Sequence, residues 1–309
     1  MTDCGAEHVA APEFSIGTPV LSRGAADRDE LLRSPQRILL DWPAARILAV
    51  GPTGEVAVDG DRPSWQPAVG DGPPAAAVLL GAVDGIAHWA VPDPNVRGPT
   101  LRELGAALGD ADAGLVVTAV ALLGWHARGA FCPACGGRST AAAAGWSRSC
   151  PQGHQEFPRT DPAVIVLVHD GADNMVLARQ PIWAPGRFSV LAGFNEAGES
   201  LEATVVREIG EEIGVAVTDI RYLGSQPWPF PRSLMLGFSA RAEPGLEFQP
   251  RDGEIEEARW VSREAVRRML GGSGWGAAPG DPDRAVDGIV LPGSISIAHR
   301  MIQGWAAGG

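Results

Sequence analysis

The stretch from Gly193 to Val215, GFNEAGESLEATVVREIGEEIGV, constrains this chain more than any other, because it places three carboxylates where an unassisted helix would not hold them. Leu201, Ala203, Val205, Val206 and Ile209 recur at helical spacing and predict a helix with one buried stripe, capped by Ser200 and stopped by Gly214. Gly193 and Gly198 predict a flexible loop ahead of it. On such a helix Glu208, Glu211 and Glu212 share a face. Like charges at these spacings repel by about 0.2–0.5 kcal/mol per pair even when exposed. A hard divalent cation relieves that repulsion, since Mg²⁺ and Mn²⁺ favour carboxylate oxygens and bridge protein to phosphates. Arg207, set among Glu199, Glu208 and Glu211, reads as an ion-pair partner that orients them; the plainer reading is a surface salt bridge.

These residues resemble the Nudix box: a glycine, five residues, a glutamate, seven residues, then Arg-Glu-hydrophobe-any-Glu-Glu-any-Gly-hydrophobe. Gly193, Glu199, Arg207, Glu208, Ile209, Glu211, Glu212, Gly214 and Val215 fill every fixed place. The resemblance implies hydrolysis of a diphosphate linked to another group. An anionic diphosphate repels hydroxide, so attack on phosphorus needs cations that neutralise its oxygens and acidify a water. Glu208, Glu211 and Glu212 are then the catalytic carboxylates, Glu208 and Glu212 being the chief ligands of two or three Mg²⁺ or Mn²⁺ ions. Ala192, just before the box glycine, falls at a further metal position by the same resemblance.

A second motif follows about ten residues after the box. In SQPWPFPRS, Ser225–Ser233, prolines at 227, 229 and 231 forbid a helix and do not suit a central strand, which predicts a stiff extended loop after a strand at Ile220–Leu223. Trp228 and Phe230 with Ser225, Gln226 and Ser233 suit an aromatic base and its ribose, or else the segment, with Pro227, Pro229, Pro231 and Arg232, is a proline-rich connector with buried aromatics. A box followed by SQPWPFPxS resembles the NADH pyrophosphatase family, some of whose members also remove NAD caps from RNA. That likeness implies substrate contacts along Gln226–Ser233 and at Ala298 in the tail PGSISIAHRMI. It also implies a further metal-binding glutamate in DGEIEEARW, aligned best with Glu254 and otherwise with Glu257. Arg102 aligns with a substrate-binding arginine of the family, although its predicted helix places it equally well on a solvated face.

Upstream, Phe131–Arg159 reads as a small metal knuckle. Cys132 and Cys135 form CPAC, and Cys150 follows at zinc-ribbon distance. The family pattern is two CxxC pairs; here Gly153 stands at the fourth cysteine's place and His154 is one residue later. Cys132, Cys135, Cys150 and His154 would make a sound Zn²⁺ tetrahedron, the alternative being a degenerate knuckle held by packing with free thiols. A redox CxxC is disfavoured because no thioredoxin-like pattern surrounds it. Family likeness also pairs Phe157 with Phe194 as rings that stack on a base, contributed by two subunits, which implies a homodimer with shared sites. The plain reading of Phe157 is a core residue beside the first strand.

The resemblance implies an α+β chain: an N-terminal Nudix-like domain without the box at 1–130, a zinc-ribbon-like knuckle at 131–157, and a Nudix α/β/α sandwich at 158–309. Apolar runs at Ile47–Val50 and Ala76–Leu80 predict strands, and Leu101–Leu108 and Leu115–Arg128 predict helices. The strands expected around the box helix are Ala163–Val168, Met175–Ala178, Ser189–Ala192 and Leu234–Ala240, and residues 271–288 read as a mobile loop. No apolar run reaches membrane-spanning length, and the acidic start lacks a signal-peptide pattern, so no membrane association and a cytoplasmic setting are expected. Three clustered cysteines and an incidental Cys4 suit a reducing compartment. A net charge of −12 with no run of lysine or arginine argues against binding along a nucleic acid backbone. A terminal NAD cap could still enter. NADH and NAD⁺ are therefore the expected substrates, with NAD-capped RNA 5′ ends beside them. The alternatives are ADP-ribose or another nucleoside diphosphate, or a zinc-ribbon nucleic-acid-binding protein with a vestigial box.

Overall fold

In the computed structural model residues 14–251, 253–271 and 287–308 are described. The chain divides into two compact units. One gathers the described parts of 1–17, 163–224 and 236–309; the other gathers 18–162 with 225–235.

The box lies in the first unit, against a six-stranded sheet. Its strands run in the order Thr218–Trp228, Ser233–Arg241, Asp161–His169, Asn174–Arg179, Glu257–Ser262, with Leu191–Phe194 paired to Asp161–His169. The last pairing is antiparallel and sets Val164 opposite Gly193 and Ile165 opposite Ala192. Val164, Val166 and Val168 alternate onto one face and pack with Val205, Ile209 and Ile213 of helix Leu201–Ile213. The alternate set, Ile165, Leu167, Met175 and Leu177, is buried as well. Helix Ile297–Ala307 approaches the sheet at Gly237, where an added Cβ would stand 3.3 Å from the Met301 sulfur. These layers give the expected α/β/α sandwich.

The box helix has the predicted ends. Ser200 Oγ accepts from the Ala203 N–H, and Gly214 closes the helix at φ 72°, a left-handed conformation that favours glycine. Gly193, expected in a loop, instead lies inside the strand Leu191–Phe194. The expected strand Ser189–Ala192 is correspondingly displaced toward the box. The motif segment also departs from expectation. The strand predicted at Ile220–Leu223 spans Thr218–Trp228, so Gln226 and Pro227 are strand residues and only Pro229–Arg232 form a turn. Proline is accommodated because this strand is at an edge of the sheet.

In the second unit a four-stranded sheet has the order Gln66–Pro67, Arg46–Val50, Ile86–Pro92, Val78–Val83, its middle pair parallel. Helix Asp110–Arg128 covers it and begins earlier than Leu115. The helix expected over Leu101–Leu108 is a single turn, Leu101–Leu104, opened by a Thr100/Glu103 capping box. Three short strands, Thr140–Ala142, Ser147–Ser149 and Gln155–Glu156, form the knuckle. Of the expected mobile loop, residues 272–286 lie outside the described part. Among the described residues no helix is long and apolar enough to cross a membrane.

Candidate active site

Arg207 organises the box. Its five N–H donors make five bonds: Nε to Glu199 Oε1 (2.7 Å), Nη2 to Glu199 Oε2 and the Phe194 carbonyl (both 2.9 Å), and Nη1 to Glu208 Oε1 (2.9 Å) and Glu211 Oε2 (3.1 Å). That is the full capacity of a guanidinium, so Arg207 ties the helix to its strand. Hydrogen bonds from Arg207 hold the Glu199 carboxyl at about 2, with further donors at the Glu196 N–H and the Thr204 hydroxyl.

Glu208 and Glu212 are buried, whereas Glu211 is half exposed. Burial raises the Glu208 carboxyl above its ordinary range; Arg207 opposes the shift, and the charges of Glu211 and Glu254 add to it. Thus Glu254 acts on the same carboxylate as the box glutamates. Glu257, the alternative, sits on the strand Glu257–Ser262 and accepts from Arg259 Nε. The Glu208 carboxylate lies directly against Gly193, where any Cβ would overlap it. Carboxylate oxygens such as these are hard donors, which suit a hard divalent cation and not a soft one.

Phe194 is 57% exposed at the end of the same strand. Ala298 is buried in the first turn of helix Ile297–Ala307, its N–H bonded to Ser296 Oγ. In the other unit Phe157 is 65% exposed, which removes the core reading of that ring.

The motif strand and turn are held from several sides. Gln226 is fully buried and accepts from the Leu21 N–H at 3.4 Å, and Ser225 accepts from Ser22 Oγ at 2.6 Å through its carbonyl. Arg232 donates from Nε to Asp161 Oδ2 and accepts the Asp161 N–H at its carbonyl, while Arg159 takes the other carboxylate oxygen. Ser233 is buried, and Pro231 is exposed. Trp228 and Phe230 meet edge to face with centroids 5.0 Å apart. Arg102 lies over both, 4.0 Å from the Phe230 centroid and 5.0 Å from that of Trp228. It therefore stacks on the motif's own rings.

At the knuckle the ligand atoms of Cys132, Cys135, Cys150 and His154 lie within 4.8 Å of one another. Cys132 Sγ and Cys150 Sγ are each 3.6 Å from His154 Nδ1, and Cys135 Sγ is 3.7 Å from Cys150 Sγ. A tetrahedron with ordinary Zn–S and Zn–N bonds has edges of about 3.6–3.8 Å. The donor set fits zinc. Burial pushes the Cys150 thiol up, but N–H groups of Gln152 and His154 and the neighbouring thiols bring it down to about 7, toward thiolate.

The family described as "NUDIX domain" matches residues 159–278. Over 315 aligned residues, 97% of this chain and 99% of the other, the chain is 47% identical to the protein named NAD-capped RNA hydrolase NudC in Mycobacterium bovis, strain BCG / Pasteur 1173P2. The chain belongs to the NADH pyrophosphatase and NAD-capped RNA hydrolase family of Nudix proteins. The Mycobacterium tuberculosis protein of that name, from strain ATCC 25177 / H37Ra, is likewise 47% identical over the same span. The Pseudomonas aeruginosa LESB58 protein is 50% identical over 143 residues, 46% of this chain and 51% of that one. Among solved structures, a NUDIX hydrolase from Nitrosomonas europaea aligns over 43% of this chain and 78% of its own, at 23% identity and a TM-score of 0.37.

This Nudix chain departs from its family's two CxxC pairs by a shortened second turn. In the first turn Gly136 N–H bonds the Cys132 carbonyl, four residues back; in the second Gly153 N–H bonds the Cys150 carbonyl, three residues back. The left-handed residue, Gly153 at φ 82°, thus comes one position early, where a cysteine would be strained. His154 follows it and turns Nδ1 toward the thiols. Sequence reasoning also missed residues that support the site. Asn195 Nδ2 donates to Thr204 Oγ1, which bonds Glu199, and Asp161 anchors Arg232; their types are common in loops and carry no spacing signal.

Proposed function

We propose that the chain hydrolyses the diphosphate of NAD(H) to nicotinamide mononucleotide and AMP and removes NAD caps from RNA 5′ ends. The observation that carries this reading is an intact, fully clamped box in a chain 47% identical, nearly end to end, to a protein named NAD-capped RNA hydrolase. We assign Glu208, Glu212 and Glu254 as holders of Mg²⁺ or Mn²⁺, two or three ions per site, together with Ala192, which has only backbone oxygen to offer. Those ions supply charge neutralisation for the diphosphate and acidify water.

The remaining work falls to the chain. Glu211 supports the metal face, while Arg207 fixes Glu208 and the Phe194 carbonyl in one frame. Phe157 and Phe194, both exposed, stack on a base, and their exposure supports a homodimer with shared sites. Gln226–Ser233 shape the nucleotide pocket, with Arg102 binding substrate beside Trp228 and Phe230, and Ala298 borders the substrate. Cys132, Cys135, Cys150 and His154 hold one Zn²⁺. The functional modules are 1–130, 131–157 and 158–309, working in the cytoplasm.

Metal-dependent release of AMP from NADH tests the reading, with kcat/KM compared among NADH, NAD⁺, ADP-ribose and NAD-capped RNA. Faster turnover of ADP-ribose than of both dinucleotides and capped RNA would move the chain to the ADP-ribose class. No AMP release with any divalent metal would favour a binding protein with a vestigial box.

A further inference from the structure

Within the second unit a groove of about 460 Å³ is lined by Ser225 and Pro227 of the motif together with Pro158, Thr160, Trp146 and Arg28. That size falls in the range of small-molecule sites, about 300–1,000 Å³. Its floor is apolar, from Val117 and Ala121 of helix Asp110–Arg128. The polar feature of interest is Arg28. This exposed residue reaches inward, where Nη2 donates to Thr118 Oγ1 (2.5 Å) and weakly to the Gly114 carbonyl (3.5 Å). Arg33 stands beside it, just outside the groove's lining, its guanidinium 4.3 Å from the Trp146 centroid.

Among the described residues no carboxylate forms an ion pair with Arg28 or Arg33. Three acids share this segment: Asp27 accepts from the Asp29 N–H, Asp29 caps the turn at Leu31, and Glu30 begins that turn, and none of them is paired with either arginine. Desolvation and the Arg33 charge both lower the pKa of Arg28, so these two cations push on each other. In a chain of net charge −12, two adjacent arginines that pair with no acid are available to an anion. An anion bound there would share its groove with an indole and two prolines, which suits a nucleotide better than a bare phosphate.

We propose that this groove receives the first nucleotide that follows an NAD cap on RNA, its phosphate at Arg28 and Arg33 and its base against Trp146. The proposal rests on the reading that NAD-capped RNA is a substrate, since Pro227 is among the residues assigned to the cap and Ser225 directly precedes them. It also resolves the charge difficulty: one nucleotide is held by a local site, and the rest of the RNA stays in solvent.

The test compares wild type with Arg28→Ala, Arg33→Ala, the double variant and Arg28→Lys on NADH, on a cap carrying one further nucleotide and on a longer capped RNA. The double variant should lower the ratio of kcat/KM for capped RNA over NADH by about fivefold or more. It should also flatten the salt dependence of log kcat/KM on capped RNA by about 0.7 per lost phosphate contact. Both effects should be equal for the short and the long RNA, and Arg28→Lys should keep most of the salt slope. An unchanged ratio and slope in folded protein, or a fall shared equally by NADH, overturns the proposal. If Arg28→Ala fails to fold, Arg33→Ala decides by the same readouts. Anisotropy of a short 5′-monophosphate RNA gives a separate arm: equal affinity of wild type and variant overturns the groove even if no substrate is cleaved, whereas absent cleavage alone overturns the functional reading.

Discussion

The Glu208 carboxylate rests against the backbone of Gly193, in space that the side chain of any other residue would occupy. The strand Leu191–Phe194 thus leaves room for the carboxylate of a box glutamate. Gly193→Ala must therefore displace Glu208, and a displacement on the order of 1 Å at a catalytic group costs about 10²-fold in rate. We expect kcat/KM on NADH to fall by that factor with Mg²⁺ and with Mn²⁺. Activity within about twofold of wild type would show that the carboxylate's position is not critical.

Glu211 and Glu212 are neighbours in sequence with different surroundings. Glu212 is 1% exposed, whereas the Glu211 side chain is 55% exposed and shares Arg207. Replacing a buried ligand should be the more harmful change, so Glu212→Gln should reduce turnover by at least about 10²-fold and Glu211→Gln by less. In metal-free buffer Glu212→Gln should melt no lower than wild type, because like-charge repulsion on the carboxylate face is removed. Equal turnover of Glu212→Gln and wild type would withdraw the metal face.

Much of this site was legible because the box constrains spacing so tightly: the cap at Ser200, the stop at Gly214 and the Arg207 partners all follow from residue order. What escaped depends on packing across the chain. Gly193 reads as a loop former because isolated glycines usually are, yet here its missing side chain makes room for Glu208 within a strand. Pro227 reads as part of a stiff extended loop after a strand ending at Leu223, but at a sheet edge its missing N–H costs no ladder bond. Arg102 gave no sign of stacking on Trp228 and Phe230, since those rings are far away in sequence.

The Glu199–Arg207 pair gives a pH signature. Glu199 has its folded pKa depressed to about 2 from 4.5, so its contribution to stability is complete above the unfolded value and is lost as pH falls through that window. Glu199→Gln should be less stable than wild type at pH 7, and the difference should shrink steadily as pH falls from about 4.5 toward 2. Chemical denaturation at several pH values measures it. A gap that stays constant with pH would mean that the mutation acts through packing and not through the charge.

The knuckle makes a compositional prediction. Purified protein should carry about one zinc per chain, and Cys132→Ser should release it and lower Tm by about 5 °C or more, since structural zinc contributes folding energy directly. His154→Ala should behave similarly, because Nδ1 is 3.6 Å from two thiols and replaces the missing fourth cysteine. Zinc content unchanged in His154→Ala would assign the fourth position to another donor. Wild type without zinc by elemental analysis would favour a knuckle held by packing.

Phe157 and Phe194 separate binding from chemistry. Both rings are exposed, so truncating either one removes little packing and should leave Tm nearly unchanged. If they stack on a base, each truncation should cost about 1–3 kcal/mol for substrates that carry that base. Diphosphate hydrolysis itself depends on the carboxylates, so a minimal substrate lacking the second base should be spared. Phe157→Ala should therefore reduce kcat/KM on NADH and NAD-capped RNA by about fivefold to a hundredfold and affect the minimal substrate far less. Mixing Phe157→Ala subunits with Glu212→Gln subunits adds a test of the shared site. If Phe157 serves its partner's carboxylates, one of the two sites in a mixed dimer combines both lesions and the other has neither, so activity should be partly recovered on mixing. No recovery, in a mixture shown to exchange subunits, would confine each site to one chain.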